Sequence, residues 1–161
     1  MRRARAALLA LGLAGCALFQ PPDHSSEIPQ ALADLRAAGF EFAPDVALRD
    51  DRYVVCEGMA CTELVVEHDR RTILVADAAF ASPSKLRASL LEIWSRYREP
   101  RRGNVHDLAR ATLLVLQEGR RVGVTDPSVL DDAGFFYRQL YEQLSAEKRV
   151  DLPAPDSLTL R

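Results

Sequence analysis

The chain has 161 residues, 48% hydrophobic and 27% charged, with 21 basic side chains against 23 acidic ones and a net charge of −2. That balance excludes the strongly basic footprint of a nucleic-acid-binding domain, and the apolar content excludes a disordered chain. The length fits one globular domain that buries its own core without help.

The opening residues Met1-Arg2-Arg3-Ala4-Arg5 are basic, and Ala6 to Gly12 are apolar. A bilayer span needs about 20 apolar residues. This run is shorter and fits the roughly 7–15 residues of a secretory signal. Leu13-Ala14-Gly15-Cys16 closes it, and Gln20-Pro21-Pro22-Asp23 is already polar. Leu-Ala-Gly-Cys at this distance from a basic start resembles the lipobox of bacterial lipoproteins. The resemblance implies a signal peptide over residues 1–15, cleavage before Cys16, and lipidation of its thiol and new N-terminus by acyl chains such as palmitate. The bilayer is then a partner through Cys16. Two or more acyl chains anchor stably where one holds only marginally. Within the family, Ala17 in place of Asp points to the periplasmic face of the outer membrane. The resemblance ends with the signal.

Residues 16–26, with Pro21-Pro22 and Ser25-Ser26, form a lipidated N-terminus and polar tether. A helix is predicted over 27–38, with Ser26 as cap, Pro29 in the first turn and Gly39 as stop. Ile28, Ala31, Leu32 and Leu35 share one face of it. Phe40-Glu41-Phe42 alternates like a short strand. Arg52–Cys56, Cys61–Glu67 and Arg71–Ala76 read as three further strands, joined by Glu57–Ala60 and by a turn at His68-Asp69-Arg70. Setting Cys56 opposite Cys61 places Tyr53, Val55, Thr62, Leu64 and Val66 on one core-facing side.

Cys56 and Cys61 admit a disulfide, a redox pair or half a metal site. Four intervening residues and no second pair depart from the Cys-x-x-Cys and zinc-knuckle spacings. An exported compartment preserves disulfides. A disulfide across the hairpin end is therefore the expectation, and so small a loop contributes about 2 kcal/mol.

Beyond Ser82-Pro83, a cap and first-turn pair, the pattern turns helical. Leu86, Leu90, Ile93, Trp94 and Tyr97 make one apolar stripe, which Pro100 ends. Asn104 starts the next helix, Asp107 complements its N-terminus, and Leu108, Thr112, Val115 and Leu116 form its stripe. Leu113 and Leu114 widen that stripe, and the helix stops near Gly119. Asp126-Pro127 opens a last helix, with Val129, Ala133, Phe136, Leu140 and Leu144 inward. Phe135 falls off that stripe and is the better candidate for an exposed contact. Residues 150–161 read as a loose tail after a domain spanning 27–149. Strands followed by helices predict an α+β fold: an antiparallel meander of three or four strands packed against about four helices.

His24, His68 and His106 are scattered. No His-Glu-x-x-His, Gly-x-Ser-x-Gly, Gly-x-Gly-x-x-Gly or Walker pattern occurs. No catalytic residue, metal or cofactor is assigned. Arg96, Arg98, Arg101 and Arg102 cluster around Pro100, either as a contact for a partner or anion or as a solvated helix end complementing its dipole. The reading is a membrane-anchored envelope lipoprotein whose domain is a non-catalytic binding or accessory module for another envelope protein. The alternatives are an envelope hydrolase, or a degenerate relative of one, and a carrier of a small apolar ligand.

Overall fold

In the computed structural model, the described residues are 24, 26–51, 61–67, 70–98 and 102–158. Cys16, Cys56, the signal stretch and the predicted strand at Arg52–Cys56 lie outside them. Four helices and a three-stranded sheet make the α+β fold: α1 (Glu27–Ala37), β1 (Val46–Asp50), β2 (Thr62–Glu67), β3 (Arg70–Val75), α2 (Pro83–Arg98), α3 (Asn104–Glu118) and α4 (Pro127–Gln143).

The sheet order is β1-β3-β2. The β2–β3 hairpin is antiparallel, with Glu67 opposite Arg70 and Leu64 opposite Ile73. The expected all-antiparallel meander needs one correction: β1 runs parallel to β3, Leu48 opposite Ile73. A parallel neighbour requires a long crossover, and the stretch of chain between Asp50 and Arg70, which contains β2, is long enough for one. β3 is the middle strand, and Ile73, Leu74 and Val75 are all buried. β1 forms an edge, where the exposed charges of Arg49 and Asp50 discourage strand addition.

The predicted strand at Phe40–Phe42 is instead a pinned loop. Phe40 is buried and meets Trp94 edge to face at 5.0 Å, and the Trp94 indole donates to the Glu41 carbonyl at 3.0 Å.

Helix α2 organises the packing. Ser82 caps it as expected, its hydroxyl accepting from the Lys85 amide at 3.1 Å. The Leu86–Leu90–Ile93 stripe is buried, but so are Ser84, Ala88, Ser89, Leu91, Glu92 and Ser95. The helix is enclosed because α1, α3, β2 and the short turn Asp77–Ala81 all pack against it. Ser84 spends its hydroxyl on the chain entering α4, accepting from the Thr125 and Asp126 amides at 3.0 Å. Asp126 in turn caps α4 by accepting from Ser128.

Ser26 does not cap α1. Its backbone is helical, and the Glu27 amide donates to the His24 carbonyl. In α4 the central inward residue is Tyr137, fully buried, while Phe136 is half-buried. Residues 150–158 are tied down at two points, although Val150 is 85% exposed. Leu152 is buried, and the Tyr137 hydroxyl donates to the Pro153 carbonyl at 2.8 Å.

Gly123 follows the short turn Gly119–Val122 with φ +86°, and its missing Cβ would lie 3.1 Å from Arg87 Nε. Arg87 spans α2 to α1 through two hydrogen bonds to Asp34 Oδ2, at 2.8 and 2.5 Å. Alanine at 123 therefore adds roughly 1–2 kcal/mol of left-handed backbone strain and pushes on that ion pair. Urea denaturation of Gly123→Ala is expected to show a loss of about 2 kcal/mol or more, with Gly123→Asn milder because Asn tolerates this conformation. Equal losses for both variants would contradict this account.

Candidate functional site

A groove of about 290 Å³ opens on the outer side of α4. Leu116 of α3, with Leu130 and Gly134 of α4, makes its floor, and Pro155 and Leu158 of the C-terminal segment make one wall. Phe135 stands at its edge, 65% exposed. Asp131 and Arg138 flank Phe135 one turn away on either side. Arg138 pairs with Asp156 of the C-terminal segment at 2.9 Å.

Two features of α4 are locally unfavourable. An exposed phenyl ring leaves apolar surface in water. Gly134 sits in the middle of a helix, where glycine costs about 1 kcal/mol relative to alanine. Neither a positive φ nor crowding requires it: an added Cβ would meet only Leu116 Cδ2, at 4.0 Å.

Glu92 is the most perturbed ionisable group. It is fully buried on α2, and neither carboxyl oxygen has a hydrogen-bond partner among the described residues. Burial raises its pKa from an ordinary 4.5 to about 8, against a smaller opposing pull from Arg96 one turn on. Burial therefore favours the neutral form of the carboxyl.

His106 opens α3 and is also buried. Its Nε2 donates to Asp151 Oδ1 at 2.9 Å, and Arg102 Nη1 holds the other oxygen at 2.7 Å. The hydrogen bond from His106 holds the Asp151 carboxyl below the usual range. Arg102 also donates its amide to Asp107 at 2.9 Å. The His106 Nδ1 is buried without a hydrogen-bond partner among the described residues and lies 3.9 Å from Asp107 Oδ1, so the ring sits between two carboxylates. This cluster ties the C-terminal segment to the start of α3.

Of the predicted arginine cluster, Arg98 lies over the Trp94 ring at 5.1 Å, Arg102 pairs with Asp151 at 2.7 Å, and Arg96 acts electrostatically on Glu92. Arg101 lies outside the described residues. Cys61 is fully buried beside β3, its carbonyl accepting from the Ala76 amide at 2.9 Å. Among the described residues no group of three His, Cys, Asp or Glu side chains is placed to hold a metal ion. Phe135 was legible as a residue off the apolar stripe. Gly134, Glu92 and Asp151 carried no sequence signal that separated them from solvent-facing positions.

No protein-family model, curated protein or solved structure matches the chain.

Proposed function

We propose that this chain is a lipid-anchored protein of a bacterial envelope, held at Cys16, whose domain is a non-catalytic binding module. Its contact surface is the groove beside Phe135. The observation that carries the binding half is the ring itself, 65% exposed and lining a groove that mixes apolar side chains with Asp131 and Arg138. Aromatic side chains that anchor in a pocket carry much of the energy of contact sites. The anchoring half is supported by Leu13-Ala14-Gly15-Cys16 and the basic, then apolar, residues before it.

His24 is already held on the domain, stacked on Phe80 at 3.9 Å between ring centres and bonded to Glu27 at 2.7 Å. Seven residues, eight Cα–Cα steps, separate Cys16 from it. They reach at most about 28 Å at full extension. The α1 start and the Asp77–Ala81 turn therefore stay close to the bilayer, at the outer membrane's periplasmic face. In that compartment Cys56 and Cys61 are proposed to pair.

Expression of Cys16→Ser in a lipoprotein-processing bacterium tests the anchor. The wild type is expected to gain the mass of attached acyl chains and to pellet with membranes. The variant should lack that mass and leave the membrane or persist as precursor. Unchanged mass and unchanged pelleting would overturn the reading. The same spectrum before and after reduction reports the Cys56–Cys61 bond as a gain of two hydrogens.

A further inference from the structure

Asp131, Gly134, Phe135 and Arg138 fall at i, i+3, i+4 and i+7 of α4 and form one outward stripe. The charges are ordered along it, acid toward the N-terminal end and base toward the C-terminal end. We infer that a second copy of this chain docks on the stripe, α4 against α4 in antiparallel orientation, about a twofold axis passing between Gly134 and Phe135. This rests on the reading of the groove as the contact surface, and it names the occupant.

Three observations converge on that geometry. A twofold contact pairs a patch with itself, so the patch must be self-complementary. An axis midway between residues 131 and 138 sets each Asp131 against the partner's Arg138 and the reverse. Gly134, which no contact within the chain requires, then lies at the crossing point, where a missing side chain lets two helix backbones approach. Phe135, the exposed large aromatic beside it, has the partner's groove as its receptacle. The Arg138–Asp156 pair does not stand in the way. Its two side chains are 52% and 83% exposed, and exposed pairs are weak enough to be shared or exchanged.

Charge reversal on the full mature chain in detergent micelles tests this, with molecular mass read by sedimentation. The wild type is expected to be dimeric at tens of micromolar. Asp131→Arg and Arg138→Asp should each weaken self-association at least tenfold, and the double variant should restore it. Residues 131 and 138 are about 10 Å apart along one helix, so restoration cannot come from a pair within one chain. Gly134→Ala should raise the melting temperature of the monomer while weakening the dimer.

A monomeric wild type, or a double variant no better than the singles, overturns the proposal. A photo-crosslinking residue at position 135 separates the two layers of the reading. A self-adduct supports the dimer. An adduct with a different envelope protein on a monomeric chain overturns the second copy and leaves the contact surface standing. No adduct of either kind overturns both.

Discussion

Glu92→Gln is expected to stabilise the protein at neutral and alkaline pH and to leave it nearly unchanged in mild acid. The carboxyl has a pKa raised from 4.5 to about 8 by full burial without a hydrogen-bond partner among the described residues. A group whose folded pKa is raised contributes its full stability below the unfolded value and loses it as pH climbs to the folded value. The wild type should therefore weaken progressively from about pH 4.5 to about pH 8 and level off above that. At about 1.4 kcal/mol per factor of ten in proton affinity, the full swing is roughly 4–5 kcal/mol. Glutamine keeps the shape and a comparable polar burial but cannot ionise, so its curve should be flat across this window. Urea midpoints measured from pH 5 to pH 9 decide the matter. Parallel curves for the two proteins would mean that Glu92 is hydrated or paired, contrary to its enclosure. Glu92→Leu extends the test: an apolar side chain of similar size removes the unpaired polar atoms as well, and should exceed glutamine at every pH.

The burial of Glu92 also shows where sequence reading stops. Leu86, Leu90 and Ile93 were legible as an inward stripe because their spacing follows the helical period. Ser89, Glu92 and Ser95 are polar and fall outside that stripe. All three are buried, because a stripe reports one packed face and α2 is packed on several. The hairpin was legible from alternation and β-branched content. β1 was not, because Val46-Ala47-Leu48-Arg49-Asp50 is short and ends in two charges, and its parallel partner lies across a long crossover. Helix starts at Ser82-Pro83 and Asp126-Pro127 held because capping is local chemistry. Phe135 was legible as an off-stripe aromatic, but the groove was not, since its wall comes from the C-terminal segment.

Ending the chain at Arg149 should lower its stability by roughly 3–5 kcal/mol. The two prolines of residues 150–161 suggest a loose tail, yet the segment makes three kinds of contact. Leu152 is buried, worth about 2 kcal/mol. Pro153 accepts from Tyr137, whose ring is wholly enclosed and whose hydroxyl pKa burial pushes up to about 12. That hydrogen bond contributes about 1 kcal/mol net. Asp151 binds both His106 and Arg102, a smaller contribution because the carboxylate is exposed. For a domain of this size each kcal/mol moves the melting temperature by about 2–4 °C or somewhat more, so a fall of roughly 10 °C or more is expected. Leu152→Ala should reproduce about half of it and Tyr137→Phe a smaller part. The acid side of the profile supplies an independent check. Asp151 has a depressed pKa, so its contribution is present above the unfolded carboxylate pKa and fades as pH falls through the folded one. Truncation should therefore cost slightly less in strong acid than at neutral pH. A truncated chain that melts with the full-length protein would return residues 150–158 to the status of a tail, and would take the groove's outer wall with it.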